Sequence, residues 1–213
     1  MTKNEILKNL KEIIAPEHTA LIIVDMQRDF CCNDGVFAQA GRDISMVRSI
    51  VQPMQRLLNT CRKKGVFVVH IQQTTLPKGQ SDGDAWLAFK TRDKKSPEYG
   101  LLGSVGREII PELTPLENEV CIPKFRPSSF HGTFLDQILR ANGIRTVIVT
   151  GETTEGCVMA TVLDASFNDY YTCVVEDCVA SSVPTMQETA LKFMRTRYRV
   201  LSAKEIERTW DDI

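Results

Sequence analysis

No stretch of these 213 residues approaches the roughly 20 consecutive apolar positions needed to cross a bilayer. Neither sign of charge is in excess. Lys and Arg number 26, Asp and Glu 27, and the formal net charge is −1. No broad basic face for nucleic acid or for an anionic membrane surface is therefore expected. Histidine is scarce: His18, His70 and His131 stand far apart, with no HExxH. The seven cysteines form no CxxC and no zinc-finger spacing, so no metal or other cofactor is expected. Internal repeats and low-complexity tracts are also missing. The opening MTKNEILKNLKEII mixes charge with Ile and Leu and lacks the apolar core and small-residue cleavage site of a signal peptide. A cytoplasmic, reducing setting is expected, in which most of the cysteines act as small buried hydrophobes.

What is present is an ordinary globular composition, 43% hydrophobic and 25% charged. This length suits one domain over 1–213, with no need of disulfides or metal to hold a core. Short apolar runs alternate with amphipathic stretches. Thr19–Asp25, Gly65–Ile71, Thr146–Thr150 and Tyr171–Glu176 read as strands covered on both faces. Glu119–Ile122 and Tyr198–Leu201 are weaker strand candidates. Helices are predicted over Ser45–Lys64, Thr133–Asn142, Cys157–Asn168, Thr185–Arg195 and Ala203–Trp210. The alternation argues α/β: a three-layer, Rossmann-like sandwich with a parallel sheet and helices on both faces. Residues 74–105 have no clear periodicity and read as a lid, an oligomer arm or a long surface connection.

In such a sheet, ligands bind beyond the carboxyl ends of the strands. Asp25 ends the first strand, where it either caps a turn or serves a site. Lys124 follows the Glu119–Ile122 strand, as a site residue or a solvated surface charge. The Thr146–Thr150 strand runs into Gly151-Glu-Thr-Thr-Glu-Gly-Cys157, placing a cysteine at or near a helix N-terminus. A thiol there is expected to have a depressed pKa and to be nucleophilic, and the free backbone N–H groups could hold an oxyanion. The alternative is a small residue required by a tight turn. A carboxylate, an ammonium and a thiol together make chemical sense: the first takes the thiol proton and the second stabilises the charges.

The segments ALIIVDMQRDF (20–30), KFRPSSFHGTFL (124–135) and TVIVTGETTEGCVMATVLDASFNDY (146–170) resemble the isochorismatase-like cysteine hydrolase superfamily. The wording is most similar to its branch of N-carbamoylsarcosine, ureidoacrylate and biuret amidohydrolases. The resemblance implies a six-stranded parallel sheet, a homodimer or homotetramer, and a triad of Asp25, Lys124 and Cys157. It also implies a cis peptide bond between Glu152 and Thr153 and an oxyanion hole from the N–H groups of Thr153 and Cys157. The implied substrate is a small carbamoyl or ureido compound, cleaved at C–N through a thioester. The alternatives are a simple carboxamide, maleamate- or nicotinamide-like, or a non-catalytic family member. After His70 no second histidine occurs before His131, which argues against the metal site of nicotinamidases. Cys157 argues against true isochorismatases, which lack it. Candidate substrate contacts are Gln27 and Phe30 beyond Asp25, Arg126 after Lys124, Glu152, and Trp86 with Phe89 in the long segment. Phe30 has core packing as its alternative, Arg126 pairing with a local acid, and Trp86 with Phe89 a subunit interface.

Overall fold

The computed structural model describes residues 5–92 and 98–212. Six strands form one sheet: β1 Thr19–Val24, β2 Phe67–Gln73, β3 Val120–Lys124, β4 Thr146–Glu152, β5 Tyr171–Ala180 and β6 Arg199–Leu201. All neighbours are parallel, in the order β3-β2-β1-β4-β5-β6. The apolar runs are unbroken because both faces are covered. Along β1, Leu21 and Ile23 enter one core while Ala20, Ile22 and Val24 enter the other.

Among the described residues there are ten α-helical segments: α1 Leu10–Ile13, α2 Arg28–Cys31, α3 Val36–Gln39, α4 Ser45–Ser49 and α5 Val51–Lys64, then α6 Asp84–Thr91, α7 Leu135–Ala141, α8 Met159–Phe167, α9 Pro184–Arg195 and α10 Ala203–Asp211. On one face α1, α5 and α10 bury Ile13, Met54, Leu57, Leu58, Ile206 and Trp210. On the other, α7, α8 and α9 bury Leu135, Leu139, Val162, Ala190 and Met194. Each large aliphatic side chain so buried contributes about 1.5–3 kcal/mol relative to exposure. The fold is thus the expected three-layer α/β sandwich. No helix among the described residues is long and apolar enough to cross a membrane.

Two local expectations are corrected. The helix predicted over 45–64 is two helices that meet at Ile50. Pro53 explains the break: it has no N–H to offer the Ser49 carbonyl, and its ring would collide with that carbonyl in a continuous helix. Within 74–105, the chain forms a short 3₁₀ turn at Pro77–Gly79 and then α6. The helical period is masked in α6 because Trp86 and Phe89 line a cavity instead of a core, and Leu87 and Phe89 both stay exposed. Residues 93–97 of this segment lie outside the described residues.

The return of the chain toward the sheet is fixed by two side chains just after β1. Gln27 Nε2 donates to the carbonyls of Gln73 (3.0 Å) and Arg107 (2.9 Å). Asp29 accepts from the Gly100 N–H at 2.7 Å. Gly106 lies so close to Asp29 that a Cβ there would fall 2.1 Å from its Oδ1. These contacts lay the segment across the carboxyl end of the sheet.

Candidate active site

The strand order reverses at β1. β2 and β3 lie to one side of it and β4 to β6 to the other. A crevice opens at the carboxyl ends of strands at such a switch, and here it is a cavity of about 360 Å³. Asp25, Glu152, Thr153 and Cys157 line it from the ends of β1 and β4, and Trp86, Phe89 and Tyr99 from the long segment.

Asp25 is 1% exposed and has a left-handed backbone, φ 55°. Asp tolerates that conformation better than most residues, at a cost of roughly 1 kcal/mol. Its N–H is held by the Ile71 carbonyl at 3.0 Å. Its Oδ1 accepts the Gln73 N–H at 2.9 Å and its Oδ2 lies 2.8 Å from Lys124 Nζ. Lys124 is fully buried, so it is no solvated surface charge. From the end of β3 it reaches across β2, donating to Gln73 Oε1 (3.0 Å), the Arg126 carbonyl (3.2 Å) and Cys157 Sγ (3.2 Å). Burial alone would push its pKa down. The charge of Asp25 and the hydrogen bonds to Asp25 and Cys157 more than offset this, and Lys124 is held as an ammonium above its usual range.

The close approach of β1 and β4 needs glycine at 151. Its φ is 114°, and a Cβ would sit 2.0 Å from the Val24 carbonyl oxygen. The Glu152–Thr153 peptide bond is cis. A wide π-helical turn, Thr154–Val158, then carries Cys157 and leads into α8. Thr154 bonds Gln187 on α9, and Gln187 in turn donates to the Val179 carbonyl, so the turn is tied to its surroundings.

The thiol differs from expectation. Burial pushes the Cys157 pKa well up; Lys124 pulls it down, but Asp25, which also hydrogen-bonds the sulfur, pushes it up again. The helix proper begins only at Met159, and the nearest anion is Asp25. The free site therefore holds a neutral thiol beside a base, not a preformed thiolate. Glu152 is 3% exposed, and burial, reinforced by Asp25, raises its pKa well above the usual carboxylate range. Its Oε2 has no partner among the described residues, nor do the buried Glu155 Oε2, Trp86 Nε1 and Arg42 Nε.

Of the residues singled out in the sequence, Asp25, Lys124 and Cys157 lie in mutual contact, and Glu152, Thr153, Phe30 and Trp86 line the cavity. Phe30 is also core, 2% exposed and edge-on to Phe37 and Tyr99. Gln27 and Arg126 do not line it. Gln27 is the clip described above. Arg126 donates to the carbonyls of Ser81 and Phe125 and lies 5.2 Å over the Trp86 ring, so it supports that wall. Sequence reasoning missed Gln73, Arg42 and Glu155. The strand-end rule that selected Asp25 could have found Gln73, which ends β2. His70 Nε2 is engaged by Glu119 at 3.0 Å. No cluster of metal-ligating side chains occurs among the described residues.

Comparison with known proteins adds independent findings. Residues 19–205 match the isochorismatase domain. The chain is 31% identical over 189 residues to ureidoacrylate amidohydrolase RutB of Klebsiella pneumoniae, covering 84% of this chain and 80% of that protein. A cysteine hydrolase from Pseudomonas syringae pv. phaseolicola superposes with a TM-score of 0.83 at 26% identity, covering 100% of this chain and 99% of the other. N-carbamoylsarcosine amidase from Thermoplasma acidophilum superposes with a TM-score of 0.69 at 29% identity, covering 87% and 96%.

Proposed function

The chain belongs to the isochorismatase domain family and is a hydrolase acting on C–N bonds, and on that premise we propose that it is a cysteine-dependent amidohydrolase of a small carbamoyl or ureido compound. The observation that carries this reading is the position of the buried Lys124 Nζ, 2.8 Å from Asp25 and 3.2 Å from Cys157 Sγ, behind a cavity that Asp25 and Cys157 line. The names of the relatives support the substrate class.

In the proposed mechanism Asp25 takes the thiol proton as the sulfur attacks the substrate carbonyl. A neutral thiol beside a carboxylate suits that step, because the anion forms only when the carbonyl is in place. The N–H groups of Thr153 and Cys157 stabilise the oxyanion, each worth about 2.7–4 kcal/mol in comparable holes. Asp25 returns the proton to the leaving nitrogen. The C–N bond breaks, ammonia departs and a thioester to Cys157 remains, an S-carbamoyl form when the substrate is a ureido compound. Asp25 then deprotonates a water, which attacks the acyl carbon; the C–S bond breaks and the thiol re-forms. Lys124 keeps the charge of the cluster balanced throughout.

The test is a screen for ammonia release over ureido, carbamoyl and simple carboxamide compounds. Release of both ammonia and carbon dioxide is expected from ureido compounds; ammonia alone marks a carboxamide substrate. Cys157→Ser should fold with the wild-type melting temperature and lose turnover by at least about 1,000-fold. Activity of this variant within a few-fold of wild type would falsify the mechanism.

A further inference from the structure

Arg42 lies on the loop between α3 and α4 and lines the same cavity as Cys157. Its guanidinium lies 3.9 Å from the centre of the Phe37 ring. Phe37 packs edge-on against Phe30 and Tyr99, at 4.7 and 6.1 Å between ring centres. A planar cation stacked on an aromatic wall loses little freedom and keeps its N–H edge for a ligand. Yet Arg42 forms no ion pair with an acidic side chain among the described residues, and its buried Nε has no partner. Lys90, another cation on the lining, is by contrast committed to Asp82 at 2.8 Å.

The nearby acid does not satisfy Arg42. Glu152 feels its charge but forms no ion pair with it among the described residues, and burial raises the Glu152 pKa and so favours its neutral form. The cavity thus holds a cation with no ion-pair partner among the described residues, together with two carboxyl groups whose Oε2 atoms accept no hydrogen bond from those residues. A ligand with an anionic end and several N–H donors complements both.

We propose that Arg42 is a substrate-binding residue and that the substrate is a ureido acid, its carboxylate held by the Arg42 guanidinium and its ureido N–H groups facing Glu152 and Glu155 beside Cys157. This assignment deepens the amidohydrolase reading and rests on it for the identity of the reacting group.

The probes are 3-ureidopropionate and its methyl ester, which differ in the charge at one end. Two measurements are made on full-length protein: kcat/KM for ammonia release, and the Kd by titration calorimetry with a Cys157→Ala background that cannot turn over. Wild type is expected to favour the acid. Arg42→Gln should lower the acid-to-ester ratio of kcat/KM by on the order of 100-fold, mostly through KM, and Arg42→Lys should recover part of it. The acid-to-ester ratio of affinities should fall in the same way. Ratios unchanged by both substitutions overturn the proposal. Turnover without charge preference keeps the amidohydrolase reading and removes Arg42 from it. Charge-selective, Arg42-dependent binding without ammonia release keeps Arg42 as an acid-binding group and removes the amidohydrolase reading.

Discussion

The two ends of the cavity differ in how their polar atoms are satisfied. At the Asp25–Lys124 end, both carboxylate oxygens of Asp25 and the Lys124 ammonium have partners at 2.8–3.2 Å. Elsewhere on the lining Arg42 Nε, Trp86 Nε1, Glu152 Oε2 and Glu155 Oε2 are buried without partners among the described residues. An unpaired buried polar group costs about 1–3 kcal/mol, so such a cluster is maintained only where something else completes it. The chain organises the reacting groups itself and leaves recognition to be finished by the ligand. The paired groups end the neighbouring strands β1, β2 and β3, whereas the unpaired ones come from the loop after α3, from α6, and from the last residue of β4 with the turn that follows it.

The largest effect is expected where the paired end is broken. Asp25→Asn removes the proposed base and should lower turnover about 100- to 10,000-fold. The same change removes the anion that raises the Cys157 pKa and leaves Lys124 to lower it. Alkylation of Cys157 by iodoacetamide at pH 7, followed by peptide mass mapping, should therefore become faster as turnover fails. Slower alkylation would show that Asp25 does not control the thiol in this way. At the unpaired end the loss is expected to be smaller and confined to one class of substrate, as with Arg42→Gln above.

The smallest effect concerns stability. Glu152 has a raised pKa in the folded protein, so the folded state keeps a proton that the unfolded chain releases above about pH 4.5. Its contribution to stability is complete below that pH and is lost as pH rises toward the folded pKa. Glu152→Gln cannot titrate. The stability of the variant relative to wild type should grow with pH, by at most about 1.4 kcal/mol per unit for one proton. Denaturant unfolding between pH 5 and 8 reads this directly, and a gap independent of pH contradicts a buried protonated Glu152.

The sheet was legible in the sequence because a strand covered on both faces must be apolar throughout, and β1, β2, β4 and β5 are nearly so. Asp25, Lys124 and Cys157 were legible as candidates because the carboxyl edge of such a sheet selects residues by position, and the family resemblance joined them into one triad. The break at Ile50 was legible in Pro53 but is overridden in any reading by periodicity. Helix α6 was not, because its aromatic residues line a cavity and none of its apolar residues enters either core. Proximity in sequence misled at Gln27 and Arg126. Both sit two residues from Asp25 or Lys124, yet their side chains serve backbone carbonyls behind the site. Arg42 carries no local signal; only the loop that seats it on Phe37 brings it to the cavity.

The central claim is that sulfur is the attacking atom, and trapping the intermediate tests it most directly. Wild-type protein turning over 3-ureidopropionate is quenched in acid and its cysteine peptides are weighed. The account predicts an acyl adduct on the Cys157 peptide, absent from the peptides of the other six cysteines and absent in Asp25→Asn. Steady turnover with an adduct on a different residue, or with full activity retained in Cys157→Ser, contradicts it.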